Sequence, residues 1–273
     1  SFIRVLRAVE AVRAGVGPVW GRWGAGGGPV QYADSNTVTV APDRPDPKES
    51  PVGEQRHTIA VVGGTGPQGK GLAYRFAKHG HDVVIGSRSA ERAAEAAAAI
   101  AARGVSGSVT GAANEETLAR ADVVLLAVPY DGHDDLVAAL AGGLAGKVVV
   151  SCVNPLGFDK QGPYGLDLDR SAAESAAELV PAARVTGAFH HVSAVTLWGD
   201  EEYLSHEDVL VCGDDAEAVD LVVDLASTVT GRPGVKAGRL RMARQLEPLT
   251  AVLISINKAY KTRSGVAISG VHE

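Results

Sequence analysis

Nine residues constrain this chain more than any others: Gly63-Gly64-Thr65-Gly66-Pro67-Gln68-Gly69-Lys70-Gly71. They lie between an apolar run, Thr58-Ile59-Ala60-Val61-Val62, and an amphipathic run that begins at Leu72. Strand, glycine turn and helix in that order form the unit in which a dinucleotide pyrophosphate rests on a helix N-terminus. In the spacing Gly64-x-Gly66-x-x-Gly69, the first glycine allows the tight turn and the second lets the backbone approach the phosphates. The third lets helix and strand pack closely. Pro67 falls near the first helical position, where its missing N–H costs nothing. The same residues nearly spell a P-loop, Gly64-x-x-x-x-Gly69-Lys70, but Gly71 occupies the place of the hydroxyl that would hold magnesium. A glycine turn that binds no nucleotide is the plainer alternative.

A second signal lies at the end of the next strand. His81-Asp82-Val83-Val84-Ile85-Gly86 reads as a buried parallel strand, and it delivers Ser87 and Arg88 about 20 residues beyond the loop. A unit selective for NAD places an acidic residue there to accept the ribose 2′-hydroxyl. Here a hydroxyl and a guanidinium take that place, with Arg92 one helical turn further on, and such groups attract a 2′-phosphate. Asp82 opens the strand and does not serve as that acid. Arg88 as a solvated loop cation, and Arg92 as a partner of Glu95, are the competing readings. The coincidence with the glycine motif favours NADP.

Composition narrows the class. With 273 residues, 45% hydrophobic and 21% charged, the chain suits a folded globular protein with a large core. A net charge of −6 argues against nucleic acid as the main partner. No apolar stretch reaches the length of a bilayer span, so no membrane partner is expected. The only cysteines are Cys152 and Cys212, without a CxxC pair, which fits a reducing cytoplasm and disfavours a disulfide framework or structural zinc. Residues 1–56 differ from the rest: the first 33 carry four arginines against one acid, and four prolines follow between Pro42 and Pro51. This stretch is expected to be a disordered extension outside the fold, a targeting role being the alternative.

From residue 57 strands and helices alternate, which implies an α/β fold with a doubly wound parallel sheet of the Rossmann type. Further strands are expected at Ser108–Thr110, Asp122–Pro129, Lys147–Val150 and Arg184–Phe189, with Asn114 as N-cap of a helix over Glu115–Arg120. The NADP-binding domain is placed at 57–190 and a smaller, mostly helical C-terminal domain at 191–273. In that second part Asp208–Cys212 reads as a strand and Asp214 as a helix cap. Met242, Leu246, Leu249, Leu253, Ile256 and Tyr260 form a helical stripe suited to core or to a homodimer interface. Pro248 is expected to kink that helix or start a new one.

The strand ends that face a ligand in such a sheet hold no recognisable nucleophile–base pair. His190 and His191 are neighbours on a strand and point to opposite faces, so they make a poor metal site. Tyr74 and Lys78 have the spacing of the short-chain dehydrogenase pair but lie beside the glycine loop, where that pair does not belong. His133 and His190 are candidate proton shuttles or, equally, satisfied polar residues. A reaction between two organic redox cofactors needs no acid–base set, because the protein need only hold two rings face to face.

Gly63-Gly64-Thr65-Gly66-x-x-Gly69-Lys70-Gly71, Gly86-Ser87-Arg88, Val128-Pro129, Arg170-Ser171-Ala172-Ala173-Glu174 and Cys212-Gly213-Asp214-Asp215 closely resemble the F420-dependent NADP reductases. The resemblance runs from about residue 57 to the C-terminus. It implies hydride transfer between NADP(H) and the deazaflavin coenzyme F420, from nicotinamide C4 to deazaflavin C5 or back. By the same resemblance Gly64, Thr65, Gly66, Pro67 and Gln68 cradle the pyrophosphate, and Ser87, Arg88 and Arg92 hold the 2′-phosphate. Val128, Asn154 and Ala194 line the nicotinamide, with His190 beside them. Two departures fall near the deazaflavin: Tyr130-Asp131-Gly132-His133 replaces a Trp-x-His pattern, and His190-His191-Val192-Ser193 replaces His-Thr-x-Pro. These keep open an NADPH-dependent reductase of another acceptor (a flavin, quinone or metal chelate) and a non-catalytic NADP-sensing module.

Overall fold

The structure, a computed structural model, describes residues 55–272. The extension expected over 1–56 lies, except for Gln55 and Arg56, outside the described residues. Ten strands follow in chain order: β1 (Thr58–Val62), β2 (Asp82–Ser87), β3 (Val109–Ala113), β4 (Val123–Leu126), β5 (Val148–Ser151), β6 (Leu156–Asp159), β7 (Gly162–Gly165), β8 (Arg184–Gly187), β9 (Leu210–Gly213) and β10 (Val235–Gly238). The helices are α1 (Pro67–Lys78), α2 (Ala90–Ala101), α3 (Asn114–Leu118), α4 (His133–Leu144), α5 (Ala172–Leu179), α6 (Ala194–Leu197), α7 (Ala216–Thr230) and α8 (Ala243–Tyr260).

Eight strands make one sheet in the order β10-β9-β8-β5-β4-β1-β2-β3, parallel except where β8 meets β9. β6 and β7 form a separate antiparallel hairpin. Strands covered on both faces must be apolar throughout, and this is why β1 and β4 read as continuous hydrophobic runs. The alternation along β1 divides the core: Ile59 and Val61 pack with Leu72, Phe76, Ile100 and Val222 on one face. Ala60 and Val62 pack with Leu126, Leu140, Leu144 and Leu246 on the other. Helices α1, α2 and α7 thus cover one side of the sheet, and α4, α5 and the start of α8 the other. After β3 the chain returns to the far side of β1 to form β4, so the strand order reverses between β1 and β4. A crevice opens at that reversal, and ligands bind there in sheets of this kind.

Several local expectations are corrected. Asn114 is the first residue of α3 rather than its cap; the N-cap is Ala113, and no side chain caps the helix. The Asn114 side chain packs beside Gly86, where an added Cβ would meet its Oδ1 at 2.8 Å. Asp215, not Asp214, caps α7 by accepting from the Ala218 N–H, while Asp214 pairs with Arg239. Beyond residue 190, β9 pairs with β8 and β10 with β9, so the same sheet continues. Helix α8 runs through Pro248, whose ring lies against Gly165 of β7.

Arg75 is fully buried in α1 and donates to the carbonyls of Leu197 (2.8 Å), Thr196 (2.8 Å), Glu201 (2.5 Å), Glu202 (3.1 Å) and Gly199 (3.4 Å). It clamps the α6 segment onto α1, and Gly71 permits the approach: a Cβ there would sit 2.7 Å from Leu197 Cβ. Tyr74 packs its ring against Trp198, and Lys78 pairs with Glu202, so both serve this same contact.

Between α6 and β9, burial raises the Glu207 carboxyl to about 7, Glu201 adding to the shift, and its Oε2 has no partner among the described residues. An acid whose folded pKa exceeds its unfolded value stabilises the fold below the unfolded pKa, and that contribution is lost as pH rises through the folded one. Glu207→Gln is therefore expected to gain stability relative to the parent chain between pH 4.5 and 7. Urea unfolding at pH 5 and pH 8 reads this directly, and equal differences at both values would contradict it.

No helix among the described residues is long and apolar enough to cross a membrane. Cys152 and Cys212 are buried free thiols.

Candidate functional site

The loop from Gly63 to Gly66 lies at the C-terminal end of β1, beside the strand reversal. Its glycines divide their roles differently from the expectation. Gly63 takes the left-handed conformation (φ +78°) that turns the chain, and a Cβ there would meet the Ala127 carbonyl at 2.6 Å. Gly64 is needed for close approach instead, since its Cβ would lie 2.9 Å from the Val61 carbonyl oxygen. Gly69 behaves as expected: a Cβ would strike Gly63 O at 2.8 Å and Gly64 Cα at 2.9 Å, so helix and strand touch there. Gly66 differs from all three. Its Cβ would meet only Gly63 O, at 3.4 Å, so the space above it is open on the cleft side.

Helix α1 begins with Pro67, has no side-chain cap and carries no acid in its first turn. The N–H groups of Thr65, Gln68 and Gly69 have no acceptor among the described residues, whereas Gly66 N donates to Gly63 O at 3.0 Å. Unsatisfied amides at the positive end of a helix dipole form an anion site. A pyrophosphate fits it, because the open face of Gly66 leaves room for a phosphate against the backbone.

At the end of β2, Ser87 is buried and its Oγ accepts from the Ser89 N–H at 3.3 Å. Arg88 and Arg92 are exposed, and neither guanidinium pairs with a described residue. The Arg92–Glu95 ion pair considered from sequence does not form. Ser89 caps α2 and places Arg92 on the same rim as Arg88. Asp82 sits at the opposite end of β2, where hydrogen bonds from Arg56 and Ser108 lower its carboxyl to about 2. It is remote from the cleft, as the sequence implied.

Across the strand reversal, Val128 follows β4 and reaches the glycine loop; the Cβ position of Gly63 lies 2.7 Å from its Cγ1. Asn154 follows β5 and donates from Nδ2 to the His190 carbonyl at 2.9 Å. Thr250 of α8 donates to the same oxygen at 2.7 Å, and Gln68 donates to the Phe189 carbonyl at 3.1 Å. Phe189 is held at φ 61°, a left-handed conformation costing of order 1–3 kcal/mol outside glycine. The three hydrogen bonds on consecutive carbonyls hold that turn. Ala194 starts α6, and its carbonyl lies over Gly71 of α1.

His190 departs from its expected place. Its ring is 2% exposed, both ring nitrogens lack partners among the described residues, and burial lowers it to about 3. Such a ring is neutral and enclosed, so it neither lines the open cleft nor relays protons to it. Its backbone carbonyl, by contrast, orients Asn154. His191 donates from Nε2 to the Asp208 carbonyl at 2.7 Å, and both histidines lie in the turn after β8 rather than on the strand itself. Among the described residues no group of three or more His, Cys, Asp or Glu is placed to hold a metal.

A cavity of about 710 Å³ adjoins Val128 and Asn154, lined by Pro129–Asp135 on one side and by Leu156, Phe158 and Leu166 on the other. Gly132 (φ 75°) makes the turn into α4 that the altered Tyr130–His133 segment requires. His133 is buried there, its Nδ1 2.7 Å from Asp134 Oδ1, and Ser175 donates to the same oxygen at 2.8 Å. Burial acts to raise the Asp134 carboxyl, but the His133 and Ser175 hydrogen bonds outweigh it and hold it below its usual range. Sequence reading missed the 156–165 hairpin, and it missed Glu247. This buried residue accepts from the Ala172 and Ala173 N–H groups at 2.9 and 3.0 Å and joins α8 to α5. The one available signal was an acid inside the apolar stripe of α8.

The family model described as NADP oxidoreductase, coenzyme F420-dependent, matches residues 58–155, the segment from β1 through the end of the β5 loop. An F420-dependent NADP reductase of Methanocaldococcus jannaschii is 36% identical over 221 residues, covering 78% of this chain and 98% of that protein. The chain belongs to the F420-dependent NADP reductase family. The namesake enzyme of Methanothermobacter thermautotrophicus is also 36% identical, over 79% of this chain and 96% of its own length. A crystal structure from Arthrobacter sp. FB24, provisionally described as an F420-dependent NADP reductase, superposes with a TM-score of 0.66 at 27% identity. It covers 77% of this chain and 99% of the other. At 78% of this chain, the match to the relative from Methanocaldococcus jannaschii extends past residue 190.

Proposed function

We propose that this protein is an NADPH:F420 oxidoreductase. One observation carries the reading: an open, uncapped helix N-terminus after β1 and two unpaired arginines after the neighbouring strand β2 occur within a chain that matches F420-dependent reductases over nearly their full length. Gly64, Thr65, Gly66, Pro67 and Gln68 hold the pyrophosphate, chiefly through backbone amides. Ser87, Arg88 and Arg92 hold the 2′-phosphate by charge-assisted hydrogen bonds. Val128, Asn154 and Ala194 orient the nicotinamide, and His190 contributes through the carbonyl that fixes Asn154. When bound, NADP(H) and F420 supply the hydride donor and acceptor themselves. The protein's part is to position two planar rings and keep water from between them, which by itself is worth several kcal/mol of barrier. No side chain is assigned proton transfer. A homodimer through α8 is part of this reading, since Val252 and Tyr260 are 52% and 78% exposed on that helix.

Mixing the protein with NADPH and oxidised F420 is expected to bleach the deazaflavin's visible absorption; persistence of that band would overturn the reading. Gly66→Ala gives a second test. Because an added methyl meets only Gly63 O, stability is expected to stay within about 1 kcal/mol, while affinity for NADPH and NADH falls alike as the methyl occupies phosphate space. Isothermal titration beside a thermal melt distinguishes this from simple unfolding.

A further inference from the structure

We propose that Phe158, on the β6–β7 hairpin, is the platform on which the acceptor's planar ring stacks, opposite the nicotinamide. The inference rests on the activity proposed above and names the far wall of its site. The 710 Å³ cavity begins where Val128 and Asn154 end, and it is of the size that encloses a multi-ring ligand. Leu156 and Phe158 are two apart on β6 and share one face, and both line this cavity. Phe158 is 67% exposed, an apolar ring turned to an open space rather than to the core.

The hairpin is built to hold that ring still. On its other face Tyr164 lies across Gly157, where an added Cβ would run into the tyrosine ring. At the tip, Asp159 Oδ1 accepts from the Gln161 N–H at 2.7 Å and from the Gly162 N–H at 3.1 Å, and Gly162 (φ 127°) closes the turn. At the base, Leu166 N donates to Pro155 O at 3.0 Å, and Gly165 abuts Pro248 of α8, its Cβ position 2.7 Å from the proline Cβ. A platform fixed at both ends loses little freedom when a ligand arrives. The opposite wall is acidic: Asp131, Asp134 and Asp135 line it, and no Lys or Arg lines the cavity. Against that wall the anionic phosphodiester tail is held at the cavity mouth by charge repulsion. The occupant assigned here is thus the deazaflavin ring and not its phosphodiester tail.

The test measures deazaflavin binding by fluorescence quenching in NADP⁺-loaded protein, alongside steady-state reduction by NADPH. F420 and a deazaflavin lacking the phosphodiester tail are compared for the parent, Phe158→Ala and Phe158→Trp. Phe158→Ala is expected to weaken binding of both deazaflavins about tenfold with NADPH affinity unchanged, and Phe158→Trp to restore most of it. Alanine-variant affinity within twofold of the parent, or a parallel loss of NADPH affinity, overturns the proposal. A parent chain that binds the deazaflavin without reducing it would sink the activity reading while leaving the platform to be judged by the variants. A parent that binds no deazaflavin overturns both.

Discussion

Arg88→Ala is expected to raise the Kd for NADPH by about 10- to 150-fold, a loss of roughly 1.5–3 kcal/mol for one charge-assisted hydrogen bond. NADH affinity is expected to change by less than about twofold. The asymmetry follows from geometry. Arg88 is exposed at the tip of β2 and pairs with no described residue. Its charge therefore acts only on a group at the ribose 2′ position. Raising ionic strength should narrow the difference between parent and variant, because an exposed cation is screened over about 10 Å at 0.1 M salt. Comparative titration of the two cofactors checks this, and equal weakening of NADPH and NADH would refute the assignment. Arg92, on the same rim, is expected to show the same pattern with a smaller effect.

Arg75→Ala is expected to lower stability by roughly 3–5 kcal/mol, since several carbonyl acceptors and a buried side-chain volume lose their partner together. In a domain of this size that lowers Tm by about 6–20 °C. Desolvation of this buried guanidinium pulls its pKa below the usual arginine range, with the Tyr74, Glu201 and Glu202 charges opposing the shift, while five backbone carbonyls accept its donors. Lysine has neither the fork nor the number of donors to replace it, so Arg75→Lys should recover little. Because the clamp carries the segment that begins at Ala194, surviving Arg75→Ala protein should also bind NADPH more weakly. A Tm within about 2 °C of the parent would contradict the clamp.

These two arginines illustrate what a reader of the chain can and cannot infer. The place of Arg88 was legible because it is local: it follows a strand at a set distance from a glycine loop, and the strand–turn–helix unit that relates them is contiguous in sequence. The β1 boundaries, Pro67 at the first turn of α1 and the Ser87-Arg88 step were readable for the same reason. Arg75 was not legible. It looks like one more polar residue on an amphipathic helix, and the carbonyls it serves lie more than 120 residues away. His190 shows the converse error: a histidine at a strand end suggests a cleft residue, but a left-handed turn at Phe189 rotates its ring into the core.

By itself the sequence determined the alternation of strand and helix, the place of the glycine loop and the preference for a 2′-phosphate, because periodicity, turn chemistry and charge act between near neighbours. Only the tertiary structure decided that β9 and β10 extend the same sheet. It also decided that Gly63 rather than Gly64 makes the turn, and that a hairpin unnoticed in the chain faces the cavity beside Asn154. Those outcomes depend on which distant edges and surfaces meet, and burial and pairing energies settle that only once the whole chain has packed.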